Sequence, residues 1–445
     1  MRSGIIEESV KRYPDKVSVA VFASAAMPAV GKHMAFVLQE FSQETGPDFY
    51  MDCTYGASSD PQYDRVKTLL LGPEYLAKRL YQLSPPEIHA MAMVRPSKWF
   101  EDDAVLNGDG LTAERYGAVR RMFFVAEDDA SWSAEFQRRM ASWNPGTEGT
   151  IALAAASHLL VAFRRQQAME SRGDAGEHEH HRRHFVLVHG LCHGAWCWYR
   201  VAAALGSAGH RVTALDLPAC GASAARADEV RSFEEYSRPL LDAVAAAPPG
   251  EKVVLVGHSF GGHNLALAME AHPEKVAVAV FVSAPMPVAG RPMSAVLEQH
   301  LQEDSAPDSF LDCTFGILER GSQNPAETFL VGPEWMSQRM YQLNPPEDLT
   351  LARMLVRPAQ MFLRDEAMTG EDVLTEGRYG AVSRVFVVAE EDKTWPAEEQ
   401  RRAVAASRGG AGVEVRAVGG ADHMPMFSKP AELAQLIMEV AEKYS

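Results

Sequence analysis

A serine flanked by glycines near the middle of the chain is the residue best placed for chemistry. Ser259 is the centre of G-H-S-F-G (257–261), which follows the continuous apolar run Val253–Val256 and precedes an amphipathic stretch over 262–271. This pattern predicts a buried strand, a sharp turn and a helix, the setting in which G-x-S-x-G presents a nucleophile. Glycines on both sides leave room for the neighbouring strand and helix, and the helix N-terminus favours negative charge developing near the serine.

A nucleophilic serine needs a general base and a carboxylate that orients the base. Asp392 and His423 each come directly after a predicted strand. Both should therefore emerge at the sheet edge where Ser259 lies, and the chain order Ser, Asp, His is typical of this motif. Glu390 and Glu391 stand beside Asp392, and either could take its role.

Backbone amides are the expected partners of the oxyanion that forms when a serine attacks an ester. The amide of Phe260 and one amide from the loop after the first strand, Leu191, are the candidates. His189 and His193 lie in the same loop, where bracing by hydrogen bonds is the expected role. Asp216 precedes the serine in the chain and is expected to serve structure.

Apolar strands alternate with helical segments over 184–445, which predicts an α/β fold with a mostly parallel sheet flanked by helices. The region from about 287 to 375 breaks this alternation and is rich in Met and Phe. We predict that it is a helical cap over the C-terminal edge of the sheet, where ligands bind in such folds.

The beginning of the chain resembles a later part of the same chain. Two of the matching pairs of segments are 15–28 with 274–287, and 114–129 with 377–392. The first copy keeps Asp129 as the counterpart of Asp392, but it lacks the nucleophile strand and shows no match to the segment around His423. We therefore predict that this partial duplicate is catalytically inert.

The predicted organisation has three parts. They are a truncated copy over 1–146, an apolar segment and polar linker over 147–183, and a complete domain over 184–445. A group of histidines lies at the end of the linker and at the first residue of the complete domain: His178, His180, His181 and His184. They could bind a metal, but a solvated linker is the favoured interpretation because no second cluster supplies a coordination geometry. No metal site is predicted.

Composition narrows the classes of partner. The net charge of −16 argues against nucleic acid and against an anionic membrane surface. The five cysteines are odd in number and show no zinc-like spacing, which indicates free thiols in a reducing compartment. No signal peptide is recognisable, and the apolar stretch 151–163 is too short to span a bilayer, so we expect a cytoplasmic protein.

Several motifs together resemble plant methylesterases of the α/β-hydrolase superfamily, a group that includes salicylic-acid-binding, methyl jasmonate and methyl indole-acetate esterases. These motifs are HFVLVHGLCHGAWCWY, EKVVLVGHSFGG, MYQLNPPEDL and GADHMPM, and the resemblance covers 184–445. It implies a serine carboxylesterase that hydrolyses methyl esters of small hydrophobic carboxylic acids and requires no cofactor. The implied catalytic residues are Ser259, Asp392 and His423, with the amides of Leu191 and Phe260 as the oxyanion hole.

The resemblance also implies an apolar substrate pocket under the cap. Its candidate substrate-binding residues are His258, Phe310, Phe315, Phe329 and Met340. His300 stands where some relatives carry an aromatic residue, which leaves the size and polarity of the substrate open.

Two other functions stay open beside the esterase. Hydroxynitrile lyases use the same triad, but they typically carry Thr at the position of Gly190 and Lys at the position of Met424. A hormone-binding protein with slow turnover is the other alternative. Gly190, His258 and Met424 favour the esterase. The sequence does not identify the acid. It also leaves the oligomeric state open, and a homodimer is one possibility.

Overall fold

The computed structural model describes most of the chain. The described residues are 14–23, 25–33, 35–45, 47–57, 67–82, 97–99, 111–144, 147–153, 182–303, 310–318, 326–407 and 412–444. The chain divides into two compact units, Met1–Asp174 and Ala175–Ser445, which we call the first unit and the second unit. The predicted linker histidines His178, His180 and His181 lie outside the described residues.

The first unit contains two small sheets. Its strands are β1 (Ala20–Ala23), β2 (Thr54–Ala57), β3 (Lys67–Leu70), β4 (Ser97–Trp99), β5 (Arg121–Ala126) and β6 (Thr147–Leu153), and its helical segments are α1 (Phe36–Glu44), Pro73–Tyr75, Leu76–Leu80 and α2 (Ala134–Ser142). One sheet is parallel in the order β1-β5-β6, and the other is antiparallel in the order β2-β3-β4. Phe22, Phe123 and Met140 belong to the buried core of this unit.

Strand β6 lies beyond the predicted end of the truncated copy at residue 146. It occupies the start of the apolar segment that the sequence indicated for 147–183, and it pairs in parallel with β5. The sheet of the first unit therefore extends past the predicted boundary.

The second unit is built on a parallel sheet of six strands, β7 (His184–Val188), β8 (Arg211–Leu215), β9 (Val253–His258), β10 (Val276–Val282), β14 (Arg384–Ala389) and β15 (Glu414–Val418). Their order in the sheet is β15-β14-β10-β9-β7-β8. Its helices outside the cap are α3 (Tyr199–Ser207), α4 (Phe233–Ala245), α5 (Gly261–Ala271), α9 (Ala397–Ala406), α10 (Pro425–Ser428) and α11 (Pro430–Lys443). The prediction of a mostly parallel sheet flanked by helices is confirmed.

Burial of both faces explains the apolar composition of the central strands. All six residues of β9 are buried, and so are all six of β14. Local signals set the flanking helices. The Ser232 side chain accepts a hydrogen bond from the Glu235 amide at 3.1 Å and begins α4, while Pro430 opens α11.

The cap between β10 and β14 is not helical throughout, and in this respect the prediction was wrong. Its helices are α6 (Ala295–Glu303), Pro333–Trp335, Met336–Met340, α7 (Pro346–Leu355) and α8 (Glu366–Thr369), and its strands are β11 (Thr314–Leu318), β12 (Ala326–Leu330) and β13 (Ala359–Gln360). The three strands form an antiparallel sheet in which Phe315 lies opposite Phe329. Short apolar runs of this length do not distinguish strand from helix by periodicity, and the aromatic cross-strand pair favours the sheet.

The structure adds two observations on the character of the chain. Among the helices of the described residues, none combines the length and apolar character needed to cross a membrane. All five cysteines lie in described segments and are free.

Candidate active site

Ser259 lies at a sharp turn between β9 and α5. Its φ of 49° falls in the left-handed region, which non-glycine residues adopt only where the surrounding structure holds them. The Ser259 amide donates to the Val282 carbonyl at 3.3 Å, and the Gly262 amide donates to the Ser259 carbonyl at 2.9 Å. The turn thus fixes the serine at the C-terminal edge of the sheet.

The glycines around Ser259 are required by close packing. A Cβ at Gly257 would come within 2.7 Å of Leu265 Cγ on α5, and one at Gly261 would come within 2.9 Å of the His189 carbonyl oxygen. A side chain at Gly257 would require Leu265 to move, and one at Gly261 would require the backbone to shift. The expected crowding by the helix and by the neighbouring strand is confirmed.

Asp392 and His423 form a buried pair beside this turn. His423 Nδ1 lies 2.8 Å from Asp392 Oδ2, and both side chains are almost completely buried. Glu390 instead pairs with Arg401, and the Glu391 carbonyl accepts a hydrogen bond from Gln342. The structure therefore brings Asp392, and neither glutamate, to the histidine.

The Asp392 carboxylate is held by further groups that sequence reasoning missed. Oδ1 accepts from the Thr394 and Trp395 amides at 2.8 and 2.9 Å. Oδ2 accepts from Gln400 Nε2 at 3.1 Å and from the hydroxyl of Ser283. These donors hold the carboxylate toward His423.

A signal for Gln400 was present in the internal repeat. Asp392 and Gln400 are eight residues apart, and Asp129 and Gln137 show the same spacing in the first copy. A glutamine at the same sequence spacing from the aspartate in both copies could have indicated a hydrogen-bond partner.

The two backbone amides predicted to bind an oxyanion have no acceptor among the described residues. The amides of Leu191 and Phe260 donate no hydrogen bond to any residue in the described segments. Phe260 precedes α5, whose N-terminus carries partial positive charge. Leu191 and Phe260 both line the cavity that Ser259 lines, so the two donors are available to a bound ligand.

The loop between β7 and α3 is braced by its histidines. His189 Nδ1 lies 2.7 Å from the Gly190 carbonyl oxygen, and His189 Nε2 accepts from the Leu217 amide at 3.2 Å. His193 Nδ1 lies 2.8 Å from the Leu191 carbonyl oxygen. Burial lowers the pKa of His193 to about 4, so the ring is neutral near pH 7.

Asp216 has a structural role in the same region. Its Oδ1 accepts from the Ala195 amide at 2.7 Å, and its Oδ2 accepts from the Ala222 amide at 3.0 Å. The carboxylate thus ties the loop after β7 to the loop after β8.

His258 supports the backbone of His423. His258 Nε2 lies 2.7 Å from the His423 carbonyl oxygen, and the two ring centroids are 4.8 Å apart. Burial and the neighbouring histidines lower the pKa of His258 well below its usual range. The neutral ring therefore donates from Nε2, which gives His258 a positioning contact in addition to its predicted place in the pocket wall.

One apolar cavity joins the predicted site residues. It encloses about 870 Å³, including the space at its open mouth, and we call it the serine cavity. The predicted residues that line it are Leu191, His258, Ser259, Phe260, Phe310, Phe315, Phe329, Met340 and His423. Asp392 lies behind His423 and does not line it. Phe329 and Met340 are nearly buried, whereas Phe315 is 51% exposed.

Polar contacts that the sequence did not indicate hold the cap to the sheet domain. The Tyr341 hydroxyl lies 2.7 Å from His193 Nε2, and the Leu343 amide donates to Asp422 Oδ2 at 2.9 Å. Arg200 and the buried Asp348 form a bidentate ion pair at 2.7 and 2.9 Å.

Within the described segments, no group of His, Cys, Asp or Glu is arranged to hold a metal ion. His184 belongs to β7, where its Nε2 lies 2.9 Å from Thr213 Oγ1, and so it is not part of a linker.

Comparison with known proteins decides the family. A family model described as "Alpha/beta hydrolase family" matches residues 185–436, which is more than half of the chain. The chain belongs to the alpha/beta hydrolase family. Its relatives include plant esterases and methylesterases, and it is a carboxylic ester hydrolase of the plant methylesterase group.

Individual alpha/beta hydrolases align with the chain over nearly their whole length. "Probable esterase PIR7A" from Oryza sativa is 56% identical over 59% of this chain and 98% of the relative. Methyl jasmonate esterase 1 from Vitis vinifera is 45% identical over 60% of this chain and 100% of the relative. The crystal structure of polyneuridine aldehyde esterase covers 59% of this chain and 100% of its own, with 42% identity and a TM-score of 0.56.

Proposed function

We propose that this protein hydrolyses methyl esters of small hydrophobic carboxylic acids, with Ser259 as nucleophile, His423 as general base and Asp392 as the orienting carboxylate. The observation that carries the proposal is the Asp392–His423 hydrogen bond of 2.8 Å behind an apolar cavity that both Ser259 and His423 line. Identity of 45% to a protein named methyl jasmonate esterase supports the ester class.

The proposed reaction has two halves. Ser259 Oγ attacks the ester carbonyl carbon while its proton passes to His423 Nε2, and His423 then protonates the departing methoxide to give methanol. Water attacks the acyl-enzyme with His423 again accepting a proton, and returning this proton to Ser259 releases the free carboxylic acid.

Each surrounding group has a part in these steps. Asp392 accepts the Nδ1–H of His423, which leaves Nε2 free to take the serine proton and stabilises the imidazolium that forms. The amides of Leu191 and Phe260 hold the oxyanion. The apolar side chains of the serine cavity receive the acid part of the ester and exclude water around it.

The packing at Gly190 favours hydrolysis over cyanohydrin cleavage. A Cβ at this position would lie 2.8 Å from Ser259 Cβ and 3.3 Å from His258 Nδ1. The threonine that typifies hydroxynitrile lyases would therefore require the serine or the loop to move.

The test is release of acid from the methyl esters of salicylate, jasmonate and indole-acetate, with Ser259→Ala as the matched control. We expect serine-dependent hydrolysis of one or more esters and a loss of about 10³-fold or more in the alanine variant. Mandelonitrile is included as well. Cyanide release would assign the lyase reaction, and saturable binding of the acids without turnover would assign a binding protein.

A further inference from the structure

A second cavity adjoins the serine cavity. It encloses about 410 Å³, including space open to solvent, and we call it the outer chamber. The two cavities share Val296, His300 and Trp395, whereas Glu399 and Arg402 line the outer chamber but not the serine cavity. The shared residues therefore form a wall between an apolar space and a charged one.

His300 is the polar residue that α6 contributes to the serine cavity. The other residues of this helix that line the cavity are Val296, Leu297 and Leu301. The imidazole also lies near Trp395, with ring centroids 6.1 Å apart, and its side chain is only 19% exposed. A polar ring in such surroundings is costly unless it forms hydrogen bonds.

Nδ1 of His300 is buried and makes no hydrogen bond with the described residues. Glu399 Oε2 lies 3.6 Å from Nδ1, which is too long for a hydrogen bond but close enough for electrostatic attraction. A neutral imidazole whose Nδ1–H faces this carboxylate presents Nε2 as a hydrogen-bond acceptor.

We propose, resting on the proposed ester hydrolysis, that His300 selects esters whose acid part carries a hydrogen-bond donor at the end remote from the ester. A phenol hydroxyl or a ring N–H fits this description. The reacting ester lies at Ser259, the hydrocarbon part fills the serine cavity, and the donor reaches His300 Nε2 at the wall of the outer chamber. An ester with only hydrocarbon at that end leaves the imidazole without a partner.

The experiment compares three methyl esters that differ only at the remote end. They are methyl 3-phenylpropanoate, its 4-hydroxyphenyl analogue and its 4-methoxyphenyl analogue, the last of which can accept but not donate a hydrogen bond. For the wild-type protein we expect the kcat/KM of the hydroxy ester to exceed those of the other two by about tenfold, the size of one well-formed hydrogen bond.

Three variants assign this preference to His300. His300→Phe keeps an aromatic ring and removes the acceptor, so the kcat/KM of the hydroxy ester should fall to about that of the parent ester measured with the same variant. His300→Gln supplies an amide oxygen and should restore part of the preference. Glu298→Ala changes an exposed position on the same helix that lines neither cavity and should leave the preference unchanged.

A calorimetric measurement of how the three free acids bind to Ser259→Ala separates this proposal from the proposed function. If neither these esters nor those of salicylate, jasmonate and indole-acetate are turned over but the hydroxy acid still binds about tenfold more tightly in a His300-dependent way, ester hydrolysis is wrong and the role of His300 stands. If turnover occurs but His300→Phe keeps the preference, or the methoxy compound is equally preferred, the role of His300 is overturned.

Discussion

Asp129 in the first unit is held in almost the same way as Asp392 in the second. Its Oδ1 accepts from the Ser131 and Trp132 amides at 2.7 and 3.0 Å, and its Oδ2 accepts from Gln137 Nε2 at 3.1 Å. Each of these contacts has the counterpart described above for Asp392. The same local arrangement, a strand end followed by a helix, therefore places three hydrogen-bond donors around the carboxylate in both units.

The strands that carry the two aspartates also pair in the same register. Ala20 lies opposite Arg121 in β1 and β5, and Ala279 lies opposite Arg384 in β10 and β14. Strands β5 and β6 repeat the pairing of β14 and β15 in the same manner. These parallels support the interpretation of the first unit as a partial duplicate.

The units differ at the edge of β1 and β10 that faces away from the strand carrying the aspartate. In the second unit β10 pairs with the nucleophile strand β9, and Val280 of β10 is completely buried. In the first unit the corresponding Val21 is 43% exposed. Within the part of the first unit that the structure describes, the acid is positioned but no strand pairs with β1 in the place that β9 takes beside β10.

A histidine of the first copy stands at the same sequence spacing from β6 as His423 does from β15. His423 stands five residues after Val418, the last residue of β15, and His158 stands five residues after Leu153, the last residue of β6. His158 lies outside the described residues. Even with an acid and a histidine at matching spacings, a unit without the serine cannot form an acyl-enzyme.

The largest expected difference between the units is in catalysis. Asp392→Asn should lower kcat by about 10⁴-fold because the amide favours the wrong tautomer of His423, whereas Asp129→Asn should change kcat by less than about twofold. Ester hydrolysis by the two purified variants tests this pair. A large loss of activity in Asp129→Asn would mean that the first unit contributes to catalysis.

One core phenylalanine in each unit can be replaced by alanine to compare the unfolding of the two units. Phe22 and Phe281 occupy equivalent positions and are both buried. Phe→Ala at such a position costs about 3–5 kcal/mol of unfolding free energy. We expect calorimetry to show two transitions, with Phe22→Ala lowering one and Phe281→Ala the other. A single transition lowered by both would show that the units unfold together.

Acidification should destabilise the second unit. Burial lowers the folded-state pKa of His193 and of His263 to about 4, against 6.5 for an unburied histidine. Above pH 6.5 both rings are neutral in the folded and unfolded states, so they add no pH dependence. As the pH falls from 6.5 to 4, the unfolded state binds protons that the folded state excludes, and each ring lowers the unfolding free energy by about 3 kcal/mol.

Thermal unfolding at intervals between pH 7 and pH 4 measures this loss. His263→Gln removes one titrating group away from the proposed triad and should flatten the pH dependence of the second unit's transition. An unchanged slope in this variant would show that His263 does not contribute.

Removing the first unit should have the smallest effect on activity. The family model matches 185–436, and relatives that align with 59% of this chain are covered over 98% of their own length. A protein comprising 182–445 should therefore keep kcat/KM within about twofold of the full chain, measured on the same ester. Loss of folding or activity would show that the second unit depends on the first.

The fold of the second unit could be predicted well from the sequence because the signals for its strands, turns and helices lie in short segments of the chain. The apolar run of β9, the glycines around Ser259 and the helix after them predict the turn without reference to distant residues. Asp392 and His423 follow recognisable strands, and parallel strands end at the same edge of a sheet. Their meeting could be expected before the structure was known.

The remaining contacts depend on groups that are far apart in the chain. Ser283 reaches Asp392 across 109 residues, and Arg200 reaches Asp348 across 148 residues. No spacing rule connects such pairs. The strands of the cap are similarly decided by cross-strand packing, because their short apolar segments fit either a helix or a strand.

The sequence by itself determined the α/β architecture, the family and the placement of Ser259 and His423 at one edge of the sheet, because strand, turn and helix signals fix where a parallel sheet ends. The tertiary structure decided which carboxylate meets His423, how the cap closes the serine cavity and which polar side chain faces its wall. These depend on the packing of segments that are distant in the chain, where burial and hydrogen bonding select one partner among several chemically similar residues.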